Sequence, residues 1–449
     1  MQVGGPRRPA DQPTPGGPDT RTWVLWCATA VILFLPALRV GLLSTDYVLV
    51  DRARGLPAAW LDPQSFHPVP LLAWRAMLSL GAGPAVLHLL NIVLHGADAF
   101  LVYRLAAGFM PQLWAFAAGA LMLTLPLAPE AVVWNSGIVQ VSGTFFILAT
   151  VVVARGYGEQ TSRTRRGVFF ALAALALMSN DTATLTAVLV GIDALARKAW
   201  PKTLRIDTAA VFVADAAFAT WRLVRTPSAI HTLLTWTTMT RWVEETVGAL
   251  VWPVHAEVAR AAAWLPIAGG VALGALAVAF VLRRPSTETL LRVGAYAVFA
   301  LVATLPVAAV LVIGPELQQS RFLYLSAAGY ACVLALAARA VSTGPGVAWT
   351  RGAAAMLVVL IALHVVNLEW NVHRWVDAAA LRDRILGQVA IQATERRCSS
   401  MAVLGLPDEY EGAPLFDAGV AQAFETVGVR VSNAPYAGEC LFRWTQVQR

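Results

Sequence analysis

Long apolar runs, broken by short polar turns, dominate the chain. A bilayer hydrocarbon core of roughly 30 Å takes about 17 to 25 helical residues. Stretches of that character recur near 23–43, 85–108, 113–133, 137–154, 167–178, 183–196, 207–224, 262–282, 290–313, 322–341 and 350–368. The pattern predicts an all-α polytopic membrane protein of about 11 transmembrane helices, two of them short. Residues 1–20 are rich in Pro and Gly and read as a disordered cytoplasmic tail. The first apolar run lacks a small-residue cleavage site and reads as a retained anchor.

Two stretches break the spanning pattern. Residues 226–261 are too interrupted to span: Arg241, Glu244 and Glu245 lie beside Trp236, Trp242 and Trp252, while Val243, Val247, Leu250 and Val251 follow helical spacing. An amphipathic segment lying in the membrane interface is expected there, and a shorter one over 69–80, carrying Arg75. The composition changes again after Trp370. There "MAVLGLP" reads as a buried strand, "DEYEGAP" as a loop, "LFDAGVAQAFETVG" as a helix and "VRVSN" as another strand. The expected organisation is a tail over 1–20, a transmembrane domain over 21–368 and a small α/β appendage over 370–449.

Composition agrees with the pattern. A chain that is 57% hydrophobic and 14% charged, with mean hydropathy +0.61, cannot furnish the polar surface of a water-soluble globule. Its net charge of +7 is carried almost wholly by arginine, with lysine only at Lys198 and Lys202. In such a chain basic charge reports topology, not nucleic acid. Arg7, Arg8 and Arg21; Arg155, Arg163, Arg165 and Arg166; Arg197, Lys198, Lys202 and Arg205; and Arg283, Arg284 and Arg292 all fall on one side of an eleven-span arrangement. Short cytoplasmic loops carry the Lys/Arg excess, so the N-terminus is assigned to the cytoplasm of a plasma-membrane protein. The first loop 44–84, the turns at 134–136, 179–182 and 314–321, the segment 226–261 and the C-terminal tail then lie outside. Cys398 and Cys440 could pair in that oxidising compartment, whereas Cys27 and Cys332 fall inside spans.

The outer turns carry more chemistry than turns need: Asp46 and Asp51, Trp134-Asn135, Asn180-Asp181, and Glu316 with Arg321. Solvated loop ends or helix caps would account for each alone. Within the membrane, His88, Asn91, His95 and Asp98 recur at intervals of three, four and three and share one helix face. That stripe reads as interhelical hydrogen bonding, as the lining of a substrate or phosphate cavity, or as a metal site. Histidines seven apart do not give the i, i+4 pair of a helical zinc site. No Walker loop, G-x-G-x-x-G, G-x-S-x-G or CxxC motif is present, so any chemistry is membrane-embedded.

Taken in order, the motifs resemble the GT-C type glycosyltransferases, polytopic enzymes that use polyprenyl-phosphate sugars, and within them the protein O-mannosyltransferase group. "STDYV" looks like that fold's acidic loop after the first span. "SFHPVPLLAWRAMLSLGAGPAVLHLLNIVLHGADAFLVYRL" is similar to its aromatic-Arg-Pro-Leu start followed by a His-x-x-Asn-x-x-x-His helix. "PLAPEAVVWNSGIVQVSGTFFIL" resembles a Pro-Glu-Ala-Val-Trp segment, "LALMSNDTATLTAVLV" a Ser-Lys-Glu turn, and "SRFLYLSAAGYACVLAL" an Arg-Tyr-x-Tyr run. The matches spread over residues 40 to 340, and "LGLPDEYEGAPLF" looks like the periplasmic tail of bacterial relatives. Several charges of the pattern are missing. The paired acid is Thr45-Asp46, the arginine before proline is His67, the Lys-Glu turn is Asn180-Asp181, and the arginine near "WNSGIVQ" is absent.

The resemblance implies a GT-C-like arrangement of helices and a polyprenyl-phosphate sugar donor, with an extracytoplasmic glycan, lipid or protein as acceptor. In such a transfer a carboxylate near the acceptor hydroxyl serves as general base, and a fixed cation meets the charge growing on the phosphate leaving group. Asp46 is the candidate base and Arg321 the candidate cation. His67, Asp51, Arg75, His88, Asn91, His95, Asn135 and Asp181 are further candidates for substrate or phosphate binding, with Arg52 as an additional cation. No cofactor is expected, with a divalent cation left open. Two other readings stand beside the enzyme: a non-catalytic GT-C-like protein that binds a lipid-linked glycan or a partner enzyme, and a transporter or flippase. The last is disfavoured because no paired short, broken helices recur in two matching halves.

Overall fold

The computed structural model describes residues 20–55, 66–225, 235–251, 253–308, 310–343, 347–398, 400–431 and 440–444. The Pro/Gly-rich tail over 1–19 and Trp252 lie outside the described residues.

Every predicted apolar run carries a helix. They are α1 (Thr20–Leu33), α4 (Pro84–Ala107), α5 (Gln112–Thr124), α7 (Ile138–Ala154), α8 (Arg163–Leu177), α9 (Thr186–Ala196), α10 (Lys202–Arg225), α13 (Trp264–Leu282), α14 (Thr287–Val302), α15 (Tyr324–Ser342) and α16 (Val347–Arg396). Among the described residues six are long and apolar enough to cross a bilayer, namely α4, α7, α13, α14, α15 and α16. The chain is an integral membrane protein. The other five are shorter or, in α10, interrupted by charge, so six helices, not the expected eleven or so, have the length and apolarity of a span among the described residues.

The bundle is centred on α4, which packs against α1, α5 and α7. Its approach to α1 depends on a missing side chain: a Cβ on Gly96 would lie 2.7 Å from the Cys27 Cα. Small residues at such crossings let backbones meet in the absence of a hydrophobic force between helices in lipid. Cys27 and Cys332 are buried free thiols in α1 and α15.

The described residues of the first loop are largely helical, with α2 (Thr45–Arg54) and α3 (Pro68–Ser79) packed on each other. In the interrupted segment, α11 (Trp236–Val251) turns Trp242, Thr246 and Leu250 inward, while Val243, Val247 and Val251 are exposed. That is the two-faced pattern of a helix lying along an interface. Trp242 Nε1 donates to Thr304 Oγ1 at 2.8 Å, and Glu245 Oε2 accepts from the Ile313 amide at 3.0 Å. A short helix, α12 (Ala256–Ala261), follows.

The chain does not change character at 370. Helix α16 runs unbroken for 50 residues, about 75 Å, more than twice the hydrocarbon thickness. Its inner face continues through Leu368, Val372, Trp375, Ala379, Arg382, Leu386, Val389 and Ala393, alternating four and three residues apart. The sheet begins only at β1 (Ser400–Leu404). It pairs in parallel with β4 (Arg430–Val431) on one side and β5 (Cys440–Arg443) on the other. "DEYEGAP", expected as a loop, forms a small antiparallel pair, β2 (Glu409–Tyr410) with β3 (Ala413–Pro414). The expected helix over 415–428 is confined to α17 (Val420–Glu425). Gly419, at φ +71°, precedes it, and the chain before that turn is held against the first loop: the Leu415 carbonyl accepts from the Ser44 amide at 3.0 Å. Cys398 and Cys440 form a disulfide joining the end of α16 to β5.

Candidate functional site

The turn from α1 into α2 is built from backbone that other elements must hold. Gly41 sits at φ +70° and Ser44 at φ 45°, a conformation that costs a non-glycine residue energy. Arg382, reaching back from α16, donates to the Val40 carbonyl at 2.8 Å and to the Leu42 carbonyl. His88 Nε2 and Asn135 Nδ2 both meet the Gly41 carbonyl, at 2.8 and 3.1 Å. From the C-terminal appendage, the Ala418 amide donates to the Ser44 hydroxyl at 3.2 Å. Four distant parts of the chain thus fix one turn, and that turn presents Asp46.

Asp46 is fully buried. Its Oδ1 accepts the Ser136 amide at 2.7 Å and the Ser136 hydroxyl at 2.5 Å, and its Oδ2 accepts the Leu43 amide at 2.9 Å. Burial pushes its carboxyl up to about 7, outweighing these donors and nearby Arg382, which pull the other way. The carboxylate does not itself line a cavity, but Thr45 and Ser136, linked hydroxyl to hydroxyl at 3.0 Å, do.

That cavity has a volume of about 420 Å³ and lies between α2, the start of α7, the turn before α9 and the start of α15. Its polar wall includes Arg52, His67, Ser136, Gln140, Asp181 and Arg321, with Trp134, Phe322 and Tyr324 as its aromatic part. Arg321 is stacked near Trp134 and Phe322, each ring centre 4.8 Å from the guanidinium carbon. It forms an ion pair with Glu130 of the short helix α6 (Ala128–Val132), and Glu130 Oε2 also accepts the Arg321 amide at 2.9 Å. Trp134 in turn donates to the Leu43 carbonyl at 3.2 Å. Asp181 pairs with Arg222 of α10 at 2.6 Å, and Asn180 supplies the cap to the following turn by accepting the Thr182 amide at 2.7 Å. Burial holds the His67 imidazole below its ordinary range; Arg222 and Arg52 add to this and Asp181 opposes it. Gln140 Oε1 and Asp181 Oδ1 are buried acceptors without a hydrogen-bond partner among the described residues.

The structure divides the candidate residues. Arg321, His67, Asp181 and Arg52 lie on the cavity wall, and Asp46 touches it through Ser136. Asp51 is exposed on α2, and Arg75 donates to the Gly55 carbonyl at 2.7 Å away from the wall. Asn135 is buried behind the wall. The α4 stripe is interhelical hydrogen bonding, not a cavity lining. Asn91 Nδ2 donates to the carbonyls of Trp134 and Asn135 at 3.1 and 3.2 Å. The Leu123 carbonyl accepts from His95 Nε2 at 3.0 Å, leaving His95 Nδ1 2.6 Å from the Tyr324 hydroxyl, which is 3.0 Å from Asp98 Oδ2. Buried polar groups in a bundle need partners, and these four are the partners of two turns and two helices. Glu316 packs against Gly412 of the appendage. Among the described residues no three His, Cys, Asp or Glu side chains gather in a way that could hold a metal ion.

Sequence reasoning missed Ser136, Gln140, Glu130 and Arg382. Glu130 sat within a quoted motif, and Arg382 recurs on the inner face of α16 at core spacing, a signal that a charged residue there is turned inward. Ser136 and Gln140 sat within the same motif as Glu130 and carried no signal beyond it.

No protein-family model matches the chain. Over 196 residues it is 29% identical to the protein O-mannosyl-transferase Tmtc2 of Drosophila melanogaster, a match that takes in 38% of this chain. The chain spans about a fifth of that relative's length, 21%. Among solved structures, ArnT from Cupriavidus metallidurans bound to undecaprenyl phosphate aligns with 15% identity and a TM-score of 0.48, over 92% of this chain and 90% of that one. The archaeal oligosaccharyltransferase AglB from Archaeoglobus fulgidus, in complex with an inhibitory peptide and a dolichol-phosphate, aligns with 12% identity and a TM-score of 0.44, over 78% of this chain and 56% of that one. Over the matched part of its sequence the chain is thus similar to a protein O-mannosyl-transferase, the group that its motifs resemble.

Proposed function

We propose that this chain is a membrane glycosyltransferase that moves a sugar from a polyprenyl-phosphate donor to an extracytoplasmic glycan, lipid or protein hydroxyl, in the cavity between α2, α7 and α15. One observation carries the reading: residues from five separated motifs, Thr45, His67, Ser136, Asp181 and Arg321, line a single cavity. Two acceptor atoms without a partner among the described residues, Gln140 Oε1 and Asp181 Oδ1, suit sugar hydroxyls, and the Trp134 face suits a sugar ring. The orientation proposed puts this cavity outside, with the N-terminus in the cytoplasm, as the arginine distribution and the Cys398–Cys440 disulfide support.

Asp46 acts as general base through Ser136. The acceptor hydroxyl gives its proton to Ser136 Oγ as the Ser136 proton passes to Asp46 Oδ1. The acceptor oxygen attacks the anomeric carbon, and the bond to phosphate breaks with its electron pair on the phosphate oxygen. Arg321 meets that charge. A carboxyl near 7 is suited to this work, since a base is most effective when its pKa lies near the working pH. Below about 7 Asp46 is protonated and cannot accept; transfer should therefore rise with pH through that region.

A second reading has an observation in its favour. Glu130 already neutralises Arg321, and three donors already occupy Asp46, as a protein that binds a lipid-linked glycan without turnover would allow. The experiment that separates the two compares envelope glycolipids, glycans and glycoproteins by mass spectrometry. The host is a knockout of the source organism carrying the wild-type gene or Asp46→Asn at equal membrane abundance. Loss of a positioned general base costs about 10²- to 10⁴-fold, so the enzyme reading expects wild type alone to restore a glycosylated species. Equal restoration by both removes Asp46 as the base and favours the binding reading.

A further inference from the structure

A second and larger cavity, about 1250 Å³, lies at the other end of the same helices. Helices α7, α9 and α15 run from the first cavity towards this one; on α15 the two are lined by Leu325 and Arg339, 14 residues and about 21 Å apart, while on α7 the linings come within five residues of each other, Ile147 and Val152. Six guanidiniums converge on it: Arg104, Arg155, Arg165, Arg197, Arg292 and Arg339. Against them the described residues set two carboxylates. Asp193 is shared by Arg155 at 2.5 Å and Arg197 at 2.9 Å, and Glu288 pairs with Arg292 at 2.5 Å.

Ordinary membrane-edge arginines snorkel outward, each into water. Three of these six, Arg155, Arg292 and Arg339, turn towards one loop instead. Arg339 and Arg292 both donate to the Phe109 carbonyl, at 2.5 and 3.4 Å, and the Arg155 guanidinium carbon lies 5.4 Å from the Phe109 ring. Two cations sharing one carbonyl repel at low dielectric, and Arg292 Nε is buried with no partner among the described residues. An anion with several acceptor oxygens would relieve both, and arginine forks match phosphate in geometry. Val152, Val153 and Val168 line the same cavity, an apolar wall fit for acyl chain.

The geometry points to a binding site for a phosphate-bearing anion, supplied either by an anionic phospholipid headgroup of the leaflet opposite the first cavity or by a free phosphate compound. Basic pockets between transmembrane helices commonly hold such headgroups. The site is independent of the glycosyltransferase reading, sharing no lining residue with the first cavity.

The test uses the full-length protein in nanodiscs of phosphatidylcholine with or without phosphatidylglycerol. Native mass spectrometry counts retained lipid, and thermal melting is followed with added inorganic diphosphate. Wild type is expected to retain phosphatidylglycerol over phosphatidylcholine by about ten-fold, the worth of one charge-assisted hydrogen bond. The Arg292→Gln/Arg339→Gln double variant should lose that preference, and Arg351→Gln, exposed on α16 outside the cavity, should keep it. A shift with diphosphate but no lipid preference assigns the site to a free phosphate compound. A folded double variant with the wild-type response to both anions overturns the proposal. So does a wild type that answers to neither, a result that stands even if the double variant fails to fold.

Discussion

The two cavities stand at opposite ends of α7, α9 and α15 and balance their charge in opposite ways. At the first, each cation or acid has its counterpart nearby: Arg321 has Glu130, Asp181 has Arg222, and Asp46 is held by amides and a hydroxyl. At the second, six arginines share two carboxylates. A site whose charges are satisfied internally is preorganised and spends little on reorganisation when its substrate arrives. A site left strongly positive is built around something that is not in the chain. The difference separates a site whose charges are met within the chain from one suited to holding an anion.

The comparison breaks most severely at Asp193. It is buried, accepts from both Arg155 and Arg197, and takes the Tyr296 hydroxyl at 2.6 Å. Asp193→Ala leaves two guanidiniums without their counter-ion, and breaking a buried pair from one side costs about 3–5 kcal/mol. Loss of the monodisperse species on solubilisation, or a much lower melting temperature, is the expected outcome. An unchanged melt would mean the arginine cavity tolerates still more positive charge and needs no anion.

Glu130→Gln tests the first cavity from the other side. The glutamine keeps an acceptor for the Arg321 amide but removes the negative charge, leaving Arg321 as electrostatically open as the second cavity's arginines. Undecaprenyl phosphate should then bind about ten-fold more tightly, the equivalent of roughly 1.5 kcal/mol for one charge-assisted contact. Quenching of tryptophan fluorescence would read it, since Trp134 lies against the guanidinium. Unaltered affinity would take the phosphate away from Arg321.

What the sequence reveals of these sites follows the range of the interactions that make them. The α4 stripe is visible as a face because its spacing is local, yet its purpose is not, because the partners are Gly41, Trp134, Leu123 and Tyr324, far along the chain. Helices announce themselves by continuous apolarity, but α16 is split at 370 by composition while its core spacing runs on to Ala393. Arg382 and Glu130 are polar residues whose burial depends on contacts more than 190 residues away; core spacing on α16 shows that Arg382 is turned inward but not what it meets, and for Glu130 the local pattern carries no trace of its partner. Of the grouped arginines only Arg155, Arg165, Arg197 and Arg292 line the second cavity, joined by Arg104 and Arg339, and that convergence depends on how the ends of α4, α7, α9 and α15 meet the start of α14.

The smallest effect is expected at Asp51, and it discriminates between a positioned acid and a merely acidic loop. Asp51 lies five residues beyond Asp46 on α2, about 140° further round the helix. It is exposed, whereas Asp46 is buried against Ser136. Surface substitutions of this kind change stability by no more than about 0.5 kcal/mol. Asp51→Asn should therefore leave both melting and glycan transfer at wild-type levels in the same knockout background. If it impairs transfer as severely as Asp46→Asn, what matters is the summed negative charge of the loop, and the proton path through Ser136 loses its claim. Wild-type transfer in Asp51→Asn beside a dead Asp46→Asn would tie the chemistry to the one carboxylate that the strained turn, Arg382 and the appendage together hold in place.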